Sequence, residues 1–404
     1  MIARWKSFAP FGVGIPFACV PLFPSFITFT NVQFPGVSVV PLSLALAVLA
    51  LMFVLAVWAL VAVALPPYTP VPLARPLIAW FLAGILSAVL GLNPHDGAVF
   101  MCIFGLSTIW HVVLTRYYDA PNVARAIYWS YLVSAILACA AAIVMVVTRE
   151  PASLYSIANG RAVGTFVLPG ELAGFAIVLL PISYALARIA KERALRIAAF
   201  VALALGAVAM VLTFSRTGWI GLACAIGFFV AVQSEQRRRG LAVAGAIVIA
   251  ALAVVLLLFN ERHNPSENYT RISIWQAALG TINRFPLTGV GPFGFSHLYP
   301  LVRLPDGDET AFHAHSLYLT FLAELGIIGF SAFLWTLWEF GAEMSRRLRA
   351  ASADARMLGL AIAAGLVGTL VQGLIDTVSV IIFGLLLPML ALALAAARSG
   401  SIDA

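Results

Sequence analysis

The chain of 404 residues is 62% hydrophobic and 10% charged, with a mean hydropathy of +1.01, whereas soluble globular proteins carry about 25% charged residues. A soluble fold is excluded. The net charge of +7 does not point to nucleic acid, because 22 of the 24 basic residues are Arg, scattered in short clusters between apolar runs, as a membrane-topology signal is. Cys19, Cys102, Cys139 and Cys224 all lie inside apolar runs with no CxxC spacing, so neither a disulfide framework nor a zinc site is expected.

In chain order, apolar runs bounded by charges, Pro and Gly predict helices over 10–30, 38–65, 75–92, 97–115, 125–147, 168–187, 195–214, 217–233, 241–259, 316–341, 357–375 and 377–397, each near the ~20 residues a bilayer crossing needs. The first run follows Arg4 and Lys6 as a signal peptide would, but Pro16, Pro21 and Pro24 interrupt it and no A-x-A cleavage site follows. A retained, irregular helix is expected there. The predicted architecture is an all-α polytopic integral membrane protein of about twelve transmembrane helices. Residues 1–259 hold nine helices and a small outer loop near 148–167, residues 260–314 form a large outer loop carrying short amphipathic helices, and residues 315–404 hold three helices and a short polar tail. With the N-terminus inside, seventeen of the twenty-four basic residues fall on inner loops. Only Arg149, Arg161, Arg216, Arg262, Arg271, Arg284 and Arg303 fall outside, the asymmetry that orients membrane proteins.

The outer loops carry the residues with chemistry. Arg216, in Phe214-Ser215-Arg216-Thr217-Gly218-Trp219, joins two apolar runs. Held there, a guanidinium either snorkels to lipid phosphates or clamps a phosphate ligand, for which its planar, permanently charged fork suits it better than Lys. In Arg271 to Leu279 the apolar positions 272, 275, 278 and 279 have helical spacing, predicting an amphipathic helix on the membrane surface. Arg271 near its start and Arg284 beyond its end are then candidate phosphate ligands, with interfacial anchoring the alternative, favoured for Arg284. Arg161 lies in Asn159-Gly160-Arg161-Ala162-Val163-Gly164 on the smaller loop, between two glycines expected to be flexible.

Gly289-Val290-Gly291-Pro292-Phe293-Gly294 is a literal GxGxxG, but a dinucleotide site needs a strand before it and a helix after it in a parallel unit. A tight turn returning the chain to the membrane is expected instead. In Phe312-His313-Ala314-His315-Ser316 two histidines precede the tenth run. Their readings are a metal pair with Asp306, Asp308 and Glu309, helix capping, or acid–base chemistry by a neutral imidazole. Glu171, Glu324 and Asp376 are ionisable groups in apolar runs, each a functional candidate or a structural ion-pair partner.

Arginines and a histidine at the outer boundary sit where a lipid pyrophosphate would lie, beyond the reach of cytoplasmic nucleotides. A preactivated, lipid-carried sugar fits such a site. Arg would stabilise charge growing on the departing pyrophosphate, and His would take the acceptor's proton, giving a metal-independent, inverting transfer.

The sequence resembles the O-antigen ligase and polymerase superfamily of bacterial envelope proteins over most of its C-terminal two thirds. The resemblance rests on Phe214 to Gly218, on Arg271 to Trp275 followed by Pro286 to Gly291, and on His315-Ser316 followed at the family's spacing by Gly326 and Gly329. It implies a GT-C-like fold in the bacterial inner membrane, both termini cytoplasmic, and a site facing the periplasm. It also implies transfer of an undecaprenyl-pyrophosphate-linked polysaccharide onto lipid A-core without metal, ATP or other cofactor, and with no nucleic-acid partner. By resemblance Arg216 and Arg271 match the functional arginines and His315 the essential histidine, while Arg161, His313 and Arg284 are candidates by position, for pyrophosphate or acceptor. O-antigen polymerases and protein O-oligosaccharyltransferases share much of the pattern and differ in acceptor. A twelve-helix secondary transporter fits the composition but predicts two related halves, and no internal repeat is visible.

Overall fold

The computed structural model describes residues 7–22, 42–64, 70–258, 265–305, 307, 311–376 and 385–398, and among these every regular element is helical. In chain order they are α1 Ala9–Cys19, α2 Leu42–Ala64, α3 Ala74–Leu90, α4 Pro94–Tyr117, α5 Val123–Thr148, the single turn and a half α6 Ala152–Ile157, α7 Pro169–Ile189, α8 Arg193–Leu212, α9 Arg216–Gln233, α10 Arg237–Leu258, α11 Pro265–Arg284, α12 Gly294–Val302, α13 Leu317–Ala350, α14 Ala353–Gln372 and α15 Leu386–Ala396. Eight of them, α4, α5, α7 to α10, α13 and α14, are long and apolar enough to cross a bilayer. Of the expected spans, 23–30, 38–41, 65, 259 and 377–384 lie outside the described residues.

Helix α7 is the hub. It packs on α8, α9 and α14 and is buried almost all round, from Leu172 to Leu186, as the centre of a bundle hydrophobic on every face must be. The α9–α14 crossing is close because it is made of glycines: a Cβ on Gly221 would lie 2.7 Å from the Gly368 carbonyl, and one on Gly368 would lie 2.5 Å from the Gly221 carbonyl. Small residues let transmembrane backbones approach in this way. Along the other side α3, α4 and α13 meet through Trp80, Phe104, Phe321 and Phe333, whose rings pack edge-on or tilted at 4.9–5.7 Å.

The helix starts are written locally. Ser215, Ser316 and Ser352 cap α9, α13 and α14 through their hydroxyls. Asn93 and Pro94 open α4, and Pro169 opens α7 with the Glu171 carboxylate accepting from the Val167 and Leu168 N–H groups. Side-chain acceptors satisfy N–H groups that a helix leaves orphaned. A capping role is therefore evident for Glu171.

Polarity along the bundle is clear. Arg125 pairs with Glu192, Arg356 donates to the Val232 carbonyl, Arg347 to the Leu394 carbonyl, and Arg398 pairs with Asp119. These links gather the basic termini of α5, α8, α13, α14 and α15 at one end. Arg161, Arg216 and Arg271 stand on segments at the other.

The tenth predicted helix differs from expectation. Instead of one straight run over 316–341, α13 extends from Leu317 to Ala350 and breaks at Gly326, where φ is 62° and ψ −172°. The break releases two carbonyls and two N–H groups, and the Pro286–Gly291 segment answers all four. Val290 and Gly291 N–H groups donate to the Ala323 and Glu324 carbonyls at 2.9 and 3.0 Å, while the Ile327 and Ile328 N–H groups donate to Pro286 and Leu287 carbonyls at 2.9 and 3.2 Å. The Ser87 hydroxyl adds a bond to the Glu324 carbonyl at 2.6 Å. In an apolar setting each unmade bond costs ~1–3 kcal/mol, so broken helix is tolerable there only with such replacement partners. Gly326 must be glycine because a Cβ would lie 2.2 Å from the Leu287 carbonyl oxygen. The GxGxxG therefore makes the tight turn expected of it, and that turn is built into the middle of another helix.

Of the expected apolar stripe on α11, Ile272 and Leu279 are exposed, as residues turned to a membrane surface would be, whereas Ala278 is buried together with Ser273, Ile274, Ala277 and Thr281. That face packs on Phe295 and Tyr299 of α12 and Ala323 of α13. Helix α11 is a 20-residue element rather than a short one, and it is docked on the bundle by one side.

Candidate functional site

Four segments meet at the end of the bundle away from the basic termini: the starts of α7, α9 and α13 and the end of α14. The Leu317 N–H donates to the Gly373 carbonyl at 2.8 Å, joining α13 to α14. Gln372 Nε2 donates to the Gly170 carbonyl at 3.0 Å, joining α14 to α7. The first turn of α9 abuts that of α7, since a Cβ on Gly218 would fall 2.6 Å from that of Ala173. The Ala162 N–H donates to the Leu212 carbonyl at 2.9 Å, so the Arg161 segment is tied to the end of α8, just before the turn that leads to Arg216.

His315 lies at the centre. Its Nδ1, buried and without a hydrogen-bond partner, faces Asp376 Oδ1 at 3.9 Å. Its side chain is still 31% exposed, so part of the ring other than Nδ1 is open to solvent. The residue holds a left-handed backbone with φ 46°, and Phe214 and Phe293, ahead of α9 and α12, share this conformation at 47° and 59°. Such conformations in non-glycine residues cost of order 1–3 kcal/mol and collect at functional sites.

His313 sits beside it, the two rings 4.6 Å apart at 67°. The His315 backbone N–H donates to His313 Nδ1 at 3.1 Å, which fixes that nitrogen as an acceptor and puts the proton of the neutral ring on Nε2. Burial first, then the neighbouring charges of His315 and Arg271, push the His313 imidazole down to about 3, against the opposing pull of Asp376. In the neutral ring Nε2–H is then the donor. Asp376 behaves oppositely. Burial would raise its carboxyl, but the attraction of His315, then Arg271 and His313, outweighs this and holds it below the usual carboxylate range.

Arg271, half-buried in the second turn of α11, thus acts electrostatically on both His313 and Asp376. Arg216 is the first residue of α9, on the same end of the bundle and also half-buried. Arg161 is half-buried too, and its Nε donates to the Ala158 carbonyl at 3.1 Å. Its loop is packed into the bundle: Ala162, Val163 and Phe166 are fully buried, and Gly164 is pressed against α5 with φ 62°. Arg284 is not brought in. It is exposed at the far end of α11, about 20 Å along the helix from Arg271 at 1.5 Å per residue.

Of the other ionisable candidates, Glu324 is 3% exposed and accepts the backbone N–H groups of Phe293 and Phe295, capping α12. Among the described residues no three His, Cys, Asp or Glu side chains form a metal-holding group, and Asp306, Asp308 and Glu309 lie outside the described residues. The sequence alone marks Asp376 as a functional candidate or ion-pair partner, and it does not mark Gln372, a buried amide in an apolar helix whose Oε1 has no hydrogen-bond partner. That polar residue in lipid-length helix was the available signal.

The fold and site define a polytopic helical membrane protein that collects two arginines, two histidines and a carboxylate at one end of its bundle. Residues 200–334 match the family model described as O-antigen ligase, which supports the O-antigen ligase superfamily for this chain. The match runs from within α8 to within α13, and so includes Arg216, Arg271, His313, His315, Gly326 and Gly329. No curated protein matches the sequence.

Proposed function

We propose that the chain is an O-antigen ligase, transferring an undecaprenyl-pyrophosphate-linked polysaccharide to lipid A-core at the periplasmic face of the inner membrane. The observation that carries this reading is the Asp376–His315 pair set beside Arg271 at the bundle end opposite the basic helix termini. Positive residues stay on the cytoplasmic side, so this end is periplasmic and both chain termini are cytoplasmic.

The chemistry follows from the geometry. With Nδ1 of His315 directed at the Asp376 carboxylate, the neutral ring carries its proton on Nδ1 and offers Nε2 as the acceptor. The distance of 3.9 Å is long, as catalytic contacts without substrate often are. The acceptor hydroxyl attacks the anomeric carbon from the face opposite the leaving group and gives its proton to Nε2. The carbon–oxygen bond to the pyrophosphate breaks, and the electron pair leaves with the phosphate. Arg216 and Arg271 take up that charge as it grows, which is where fixed donors act most strongly. Inversion at the anomeric carbon results, and no metal is needed. His313 donates from Nε2 to substrate oxygen, Arg161 is held near Arg216 for the distal phosphate or glycan, and Arg284 anchors α11 at the interface.

The test uses purified full-length protein, lipid-linked glycan and lipid A-core, each substrate also omitted in turn, with a chelator present. Glycan joined to lipid A-core, only when both are supplied and at a rate the chelator leaves within about twofold, is the expected result. Lengthened glycan on the lipid donor without lipid A-core makes the chain a polymerase instead, and activity that appears only on adding a divalent cation contradicts the mechanism.

A further inference from the structure

The second residue of α7 is Gly170, in the motif Pro169-Gly170-Glu171 that begins the helix. Its φ is unexceptional, so backbone freedom does not explain a glycine there, and glycine in a helix is otherwise unfavourable. Space does. A Cβ at Gly170 would lie 2.7 Å from Asp376 Oδ2 and 3.7 Å from its Cγ, and among the described residues these are the only atoms outside its own helix and chain neighbours within 4 Å. The carboxylate therefore rests directly on the backbone of the first turn of α7, where the helix dipole also favours negative charge.

Neither partner is free to retreat. The Gly170 carbonyl is held by Gln372 Nε2 at 3.0 Å, one turn before Asp376 on the same segment. The Asp376 N–H donates to the Gln372 carbonyl at 3.0 Å, and Gly373 is tied to Leu317 at 2.8 Å. Those bonds fix Asp376 relative to both α7 and the start of α13, two residues past His315. The Glu171 carboxylate accepts from Val167 and Leu168, and His315, Arg271 and His313 are among the charged groups that act on Asp376.

We infer that Gly170 is a positioning residue for the transfer: the missing side chain on α7 is the seat that keeps the Asp376 carboxylate facing His315. The inference rests on the reading of His315 as the base. Nothing but a glycine leaves that seat open, because a methyl group at this point displaces Oδ2 by the better part of an ångström, and shifts of that size in supporting residues lower rates by up to about a hundredfold.

The experiment is a double-mutant cycle with the full-length chain: wild type, Gly170→Ala, Asp376→Ala and the double variant. Transfer rate and thermal unfolding midpoint in detergent are read for each. Gly170→Ala alone is expected to lower transfer about tenfold or more and to lower the midpoint, because the methyl group collides with the carboxylate. In the Asp376→Ala background the collision is gone, so the same substitution should change transfer by less than about twofold and should not lower the midpoint, since interacting sites are non-additive. Should Gly170→Ala fail to accumulate in the membrane, accumulation regained in the double variant supports the seat, and failure of both overturns it. Equal losses in the two backgrounds overturn the positioning role while leaving the His315–Asp376 pair standing. Wild-type transfer by Asp376→Ala removes the pair and the positioning role together.

Discussion

His315→Asn is expected to lower polysaccharide transfer by roughly two to four orders of magnitude, the range a general base contributes, while the protein remains in the membrane at normal amount. Asn is the informative replacement because His315 holds a left-handed backbone at φ 46°. Asn tolerates that conformation better than most residues, whereas Ala adds a backbone penalty of roughly 1–2 kcal/mol there. The Asn side chain keeps polar contact with Asp376 but cannot carry a proton away from an attacking hydroxyl. The assay is the purified transfer reaction under donor saturation, so that the fall is read in kcat. A variant retaining more than about a tenth of wild-type kcat would remove His315 from the base role.

The second large effect is expected from Arg216→Lys, a substitution that keeps the charge. Lys presents one compact ammonium on a mobile stem where Arg presents a planar fork matched to two phosphate oxygens. Because Arg216 is the first residue of α9 and its helix start is fixed by the Ser215 cap on the Gly218 N–H at 3.2 Å, the guanidinium is delivered from a rigid base. Losing a preorganised donor to developing charge lowers kcat by about 10²- to 10³-fold. The loss should appear in kcat more than in KM, since the charge it meets is larger in the transition state than in the bound donor. An unchanged kcat would leave Arg216 as a lipid-snorkelling residue. Arg284→Lys, by contrast, is expected to change transfer little, given its exposure at the far end of α11.

Much of the bundle was legible because bilayer thickness dictates the length of apolar runs and local caps dictate where they begin. Ser215, Ser316 and Pro169 mark the helix starts on which Arg216, His315 and Asp376 depend. The break in α13 was not legible. Within Leu325-Gly326-Ile327-Ile328 a single glycine reads as a continuing helix, and its real partners are the backbone groups of Pro286 to Gly291, which no periodicity connects to it. The docking face of α11 was not legible for a related reason: Ile272 and Leu279 are exposed while Ile274 and Ala278 are buried, so apolar residues lie on both sides and their spacing does not say which side packs on the bundle.

The site was half visible by the same logic. Arginines and histidines in outer loops announce themselves by charge against an apolar background. What they bind to within the fold does not: Asp376 meets His315 only because α14 ends beside the start of α13. Gly170 carries no chemical signal of its own and Gln372 only that of an amide in an apolar helix, and their significance lies in what they leave room for and what they hold.

The most direct measurement is a structure of the protein with an undecaprenyl-pyrophosphate-linked sugar bound. The account requires pyrophosphate oxygens within hydrogen-bond distance, about 3 Å, of both Arg216 and Arg271, with the sugar's anomeric carbon turned towards Nε2 of His315. A pyrophosphate seated away from both arginines, or an anomeric carbon shielded from His315 by the protein, would contradict it.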